Sequence, residues 1–217
     1  MPPSTPGSDL MDALSAADES TRLKAALAIG SDPDPSLVDM LIGRCAIEPD
    51  FYVRDMLTWA LTRLPPEITV PKLLAELRSD HGQARSQALH TLSKIKDPSA
   101  WPAITPALLG DSDDEVARSA WRAAVVLVPR GQEPALAEKL AAQFGRGNHE
   151  VQLSLSRALV ALGTEAIASV LRDATASEDP RIRAHASATA RLLSDPSAGS
   201  EQAAKDAKRT FVLGKPR

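Results

Sequence analysis

A short formula returns along this chain about every thirty residues, and it constrains the fold more than any single motif does. In "DFYVRDMLTWALTRL", Asp50 to Leu64, a residue that caps helices well stands three places before an apolar anchor, Val53. Arg54 follows the anchor, and Leu and Ala then recur at helical spacing. Equivalent anchors are Leu23, Val53, Ala84, Val116, Val151 and Ile182, separated by 30, 31, 32, 35 and 31 residues. Three places before them stand Ser20, Asp50, His81, Asp113, Asn148 and Asp179. Five of these six carry a side-chain oxygen suited to an orphan amide of the first turn, and at His81 the neighbouring Asp80 is expected to supply it. Four places after the anchors come Leu27, Leu57, Ala88, Ala120, Leu155 and Ala186, all apolar and one helical turn on.

A second helix is expected before each of these, over roughly 9–16, 35–46, 70–78, 102–109, 134–144 and 164–175. Polar or Pro-containing turns such as "GSDPDPS", "LPPE", "KDPSA" and "FGRGNH" separate the helices. A two-helix unit of this size cannot bury its apolar face alone, so neighbouring units must stack on it. The period and the pattern Asp-x-x-Val-Arg-x-x-Ala/Leu resemble the HEAT repeat family. The pattern is complete in "DFYVRDML" and nearly so in "DPRIRAHA". "HGQARSQA" keeps the Arg but begins with His, while Ala117 and Gln152 stand where Arg is expected in two other repeats. Pro106 matches the kinking Pro of HEAT first helices. The resemblance implies an all-α fold, a right-handed α-solenoid of about six antiparallel helix pairs over residues 9–193. Residues 1–8 are expected to be a flexible N-terminus, and 194–217 a tail whose "EQAAKDAKRTFVL" is suited to a capping helix.

Composition narrows the function classes. The formal net charge is −3, which is poor for a chain whose task is to grip a phosphate backbone. Cys45 is the one cysteine, so no intramolecular disulfide forms and a reducing, cytoplasmic setting is expected. No signal-like segment opens the chain, and no apolar run approaches a membrane span. Abundant Ala, with common Arg and Asp and scarce aromatics, is the composition of a high-GC bacterial genome. Phosphate-cradling Gly-rich loops, Gly-x-Ser-x-Gly elbows and paired-ligand His spacings are absent, so no catalytic residue, cofactor or metal site is assigned.

What remains is surface recognition. The resemblance implies that second helices line a concave face where partners dock. Five residues directly after the anchors, Lys24, Arg54, Arg85, Gln152 and Arg183, are expected to form a structural ladder that bridges to the cap Asp of a neighbouring repeat. Five or six places after the anchors lie Trp59, His90, Trp121, Arg122 and Arg157, with Asp55 and Arg118 alongside, a set rich in the residue types that dominate binding hot spots. We expect a noncatalytic module that is monomeric alone and binds a protein or peptide there, with Trp59 and Trp121 as anchors. Two enzyme-like readings compete: a nucleic-acid enzyme resembling the alkylpurine DNA glycosylases, which would use concave Trp, Asp and Arg, and a protein resembling the phycobilin lyases.

Overall fold

The structure, a computed structural model, describes residues 6–195. The expected tail helix lies outside the described residues, as does most of the N-terminal segment. Among the described residues there are α-helices and two short 3-10 helices, and no strand. They form two compact units that divide after Val128. The first contains α1 (Pro6–Leu14), α2 (Glu19–Ser31), α3 (Val38–Ile47), α4 (Phe51–Thr62), α5 (Pro66–Glu76), α6 (Gly82–Ile95), α7 (Pro106–Leu109) and α8 (Asp114–Leu127). The second contains α9 (Glu133–Ala141), α10 (His149–Ala161), α11 (Thr164–Thr175) and α12 (Pro180–Ser194).

Each unit is a stack of helical hairpins. In the first, α2, α4, α6 and α8 pack in series as one layer, and α3 and α5 pack beside them. In the second, α10 packs on α12 and α9 on α11. The cores are Leu, Ile, Val and Ala, with Val53, Leu57, Val116, Ala120, Val151 and Leu155 all buried. Small residues decide how close helices come. On α8, Ala117, Ala120, Ala123 and Ala124 are fully buried, so α6 approaches without bulky side chains in the way.

Cap chemistry sets the start of each second helix. Asp50 accepts from the Val53 amide at 2.9 Å, Asn148 from Val151 at 3.1 Å and Asp179 from Arg181 at 2.7 Å. The first repeat corrects the expected register by two residues. Its cap is Asp18, which accepts from the Thr21 amide at 2.8 Å, not Ser20. Ala25, Ala26 and Ile29 are therefore buried, while Leu27 is 48% exposed and Lys24 faces solvent. His81 also departs from expectation: it occupies the cap position with no side-chain cap bond, and Asp80 does not replace it.

The first helices are less regular. The fourth is broken into a 3-10 segment, Pro98–Ala103, and the single turn α7. Pro102 and Pro106 lack the amide a continuous helix needs, and Pro106 opens α7 behind the Thr105 cap instead of kinking a longer helix. The second begins with a 3-10 turn, Pro35–Leu37, before α3.

Four of the six caps have an arginine four places on, and it ties the helix to the turn before it. Arg22, Arg54, Arg85 and Arg183 all send Nη1 back to carbonyls of the turn before their own helix. The acceptors are Ala16 and Ala17, Glu48 and Pro49, Ser79, and Ser177 and Glu178 respectively. Gln152 makes a shorter version, donating from Nε2 to Gly147 O at 3.3 Å. Arg22, not Lys24, holds the first position. Where Arg pairs with an acid of the next repeat, that acid is two places before the cap and is not the cap itself: Arg22 with Glu48, and Arg85 with Asp111. Glu48 and Asp111 also accept the amide of the cap residues Asp50 and Asp113 at 2.9 Å, so one carboxylate orders both the turn and the junction.

Candidate functional site

The outward face of the second-helix layer in the first unit carries the expected recognition residues, and the distance from each cap explains their fates. Nine places after the caps stand Leu27, Trp59, His90 and Arg122, on the adjacent helices α2, α4, α6 and α8. Trp59 is 37% exposed, and its six-membered ring lies over Gly30 of α2, where a Cβ would overlap it. Glycine there is a packing requirement, since it lets the indole lie flat against the neighbouring helix while one side stays open to solvent. His90 is half-buried and Arg122 exposed, and Arg122 donates from Nη2 to Ser119 Oγ at 3.1 Å. One turn earlier, Asp55 is exposed on α4 and Arg118 half-buried on α8.

Trp121 does not belong to this face. It stands eight places after its cap, one residue from the row, and a step of one residue turns a helix by about 100°. It is fully buried and donates from Nε1 to Leu109 O at 2.8 Å, anchoring α8 to the broken first helix of its own repeat. The expectation of a second partner-facing tryptophan is therefore corrected. Arg157 is an exposed residue of α10 in the second unit.

The electrostatics of the face are lopsided. Burial lowers the His90 pKa first; the charges of Arg122 and Lys94 lower it further, and Asp55 works against them. Partial burial and the neighbouring Arg118 charge lower the Arg122 guanidinium, against a smaller opposite effect of Glu115. Arg118 donates from Nη1 to Glu115 Oε1 at 2.6 Å, but its Nε is buried without an acceptor. Two guanidiniums one turn apart on α8 thus sit beside a half-buried histidine, with Asp55 and Glu115 as the acids that offset them.

Other features play structural parts. Cys45 is buried and its thiol is pushed up to about 12 by desolvation, so it is no nucleophile. Two polar clusters were missed in the sequence reading. Glu48, fully buried, receives Arg22 and Arg44 together. In the second unit, His185 takes the Gly145 amide at Nδ1 and faces Gln152 O and Ser156 Oγ with Nε2. The only sequence cue for Glu48 is an acid two places before a cap, and for His185 there is none, since its repeat-mates Lys24, Met56, Gln87, Ser119 and Ser154 share no character. Ile47, Phe51 and Tyr52 form an exposed apolar group at the α3–α4 turn, with the two rings edge-to-face at 5.5 Å.

With this geometry in view, comparisons with known proteins decide the family of the central segment. A family model described as HEAT repeats matches residues 44–126, less than half of the chain. Residues 44–126 are HEAT repeats. This HEAT segment contains α4, α5, α6 and α7 and nearly all of α8, and with them every first-unit residue of the face except Leu27. No curated protein matches the chain. Two crystal structures described as engineered proteins of the Northeast Structural Genomics Consortium are similar to it. One is 17% identical with a TM-score of 0.48, covering 88% of this chain and 99% of that one. The other is 21% identical with a TM-score of 0.46, covering 90% and 98%. Neither score reaches 0.5, so the helical-repeat fold rests on this chain's own helices. Among the described residues no helix is long and apolar enough to cross a membrane.

Proposed function

We propose that this protein is a noncatalytic protein-interaction scaffold whose partner docks on the second-helix face of the HEAT segment. One observation carries the reading: at a single helical position, adjacent helices present Leu27, Trp59, His90 and Arg122 outward. A stack that needed only solubility has no use for a 48% exposed Leu beside a 37% exposed Trp in one row. Arg157 offers the same position on the second unit. On this reading the chain is monomeric in isolation and works in a reducing, cytoplasmic setting. The glycosylase-like alternative loses its second aromatic, because Trp121 is enclosed in the core.

The test is site-specific photo-crosslinking in the native host. A photoreactive residue replacing His90 or Arg63 on the second-helix face should give a discrete adduct that the same residue at Ile68 or Pro71, on α5, does not. Equal adducts from both positions, or none from His90 and Arg63, would sink the assignment.

A further inference from the structure

The α8 side of this face has an unmet electrostatic demand. Arg118 and Arg122 are four residues apart, a like-charge spacing that disfavours a helix unless something offsets it. Glu115 takes one Nη of Arg118, yet Arg118 Nε is withdrawn from water with no acceptor. A buried donor left unmade is costly, and native chains keep few of them without a reason. Arg63, exposed at the C-cap of α4, and Lys94, exposed in the last turn of α6, add to the excess, so cations outnumber Asp55 and Glu115 in the outward rows. This excess stands on a protein whose formal net charge is −3. Two helices away in the row, on α4, the open side of the Trp59 ring is an apolar platform.

We propose that Arg118 and Arg122 form a carboxylate clamp for an acidic segment of a partner protein, and that Trp59 receives an apolar residue of the same segment. The proposal rests on the docking face argued above and adds the chemistry of its occupant. Charge complementarity selects an acidic occupant, and a planar guanidinium fork suits a carboxylate. The acids Asp55 and Glu115, interleaved with the cations, disfavour a continuous phosphate backbone. Helix α6 lies between α4 and α8, so Trp59 and Arg122 are two helix spacings apart, roughly 16–20 Å. An extended segment covers that span in about five or six residues, so the apolar residue and the acid should be separated by about that number. His90 lies beneath the middle of such a segment.

The experiment measures fluorescence anisotropy of the full chain with a labelled synthetic peptide that has Leu and Phe at one end and three Glu at the other. A peptide with Gln in place of Glu and a short DNA duplex are run beside it at low and raised salt. The acidic peptide should bind saturably, with the Gln peptide at least about ten-fold weaker. Arg118→Gln with Arg122→Gln, and separately Trp59→Ala, should each weaken binding by about ten-fold or more with the circular dichroism spectrum unchanged. Arg118→Lys, which keeps the charge but removes the planar fork, should weaken it several-fold and serves if the double variant does not fold. Equal affinity for the Gln peptide, indifference to the arginine changes, no peptide binding, or stronger DNA binding lost in the same variants would each overturn the clamp. If crosslinking at His90 captures a partner while the acidic peptide fails, the clamp falls and the docking face stands. If the peptide binds as stated and crosslinking fails, the clamp stands and the cellular role falls.

Discussion

Replacing Glu48 by Gln isolates the junction between the first two repeats. The carboxylate is fully buried and accepts five hydrogen bonds: Arg22 Nε and Nη2 at 2.9 Å each, Arg44 Nε and Nη2 at 2.9 and 2.6 Å, and the Asp50 amide at 2.9 Å. Gln has nearly the same shape, but one oxygen becomes an NH2 that points at guanidinium donors, and the counter-charge is gone. Removing one member of a buried pair costs about 3–5 kcal/mol, because the cation left behind stays desolvated. A second route agrees. Burial pushes the Glu48 pKa up, but hydrogen bonds from Arg22, the Asp50 amide and Arg44 outweigh it and hold it down to about 2, against an ordinary 4.5. At 1.36 kcal/mol per pH unit this is worth about 3 kcal/mol. The folded pKa is depressed, so that stability is present above about 4.5 and is lost as pH falls from there through 2. The assay is urea unfolding followed by tryptophan fluorescence, which reports the first unit because Trp59, Trp101 and Trp121 all lie in it. Glu48→Gln should cost about 3–5 kcal/mol at pH 7 and flatten the acid limb. Asp39→Asn, which breaks the exposed Lys72–Asp39 pair at 2.6 Å, should cost less than about 1 kcal/mol. A Glu48→Gln loss within about 1 kcal/mol of Asp39→Asn, or an unchanged acid limb, would refute the reasoning.

Three further outcomes are expected. Trp121→Phe keeps most of the buried ring but leaves Leu109 O without its donor, costing about 1–3 kcal/mol by urea unfolding, and Trp121→Ala about 3–5 kcal/mol; a neutral Trp121→Phe would show that the indole bond contributes nothing. Gly30→Ala gains helix propensity but forces the Trp59 ring outward, so the emission should shift to the red with a net loss of about 1 kcal/mol; unchanged emission with higher stability would contradict the overlap. Burial lowers the His185 pKa, with His149 adding to it and the Gln152 carbonyl opposing, so the ring stays neutral in the fold and its contribution is lost as pH falls below the ordinary 6.5. An NMR titration should show the His185 ring midpoint below 6.5, and a midpoint at or above that value would overturn the neutral, Gly145-accepting ring.

The helix ends and the hairpin period were legible because they are local. A cap oxygen, an apolar residue three places on and a small residue four further lie within two turns of chain, and their energetics do not wait for tertiary partners. The first repeat shows the limit of that legibility. In "ADESTRLKAA", Asp18 and Ser20 both cap well, and Leu23 looks like the anchor that Ser20 would need. What decides for Asp18 is distant: an Arg four places after the cap must reach Glu48 in the next repeat, and Arg22 does so where Lys24 would not. The Asp18 register therefore buries an arginine and exposes Leu27, the reverse of what hydrophobicity alone favours.

The surface was hardest to read for a geometric reason. Trp59 and Trp121 stand nine and eight places after their caps, which looks like one class when positions are counted loosely. On a helix that single step is a rotation of about 100°, enough to carry one indole over Gly30 at the edge of solvent and the other into the core against Leu109. Counting from the observed cap removes the ambiguity, because the cap bond fixes the angular zero of its helix. The same counting groups Leu27 with Trp59, His90 and Arg122, although nothing in their side-chain chemistry relates them. A surface shared by unlike residues at one helical angle is what a stack offers a partner, and it becomes visible once each helix has its zero.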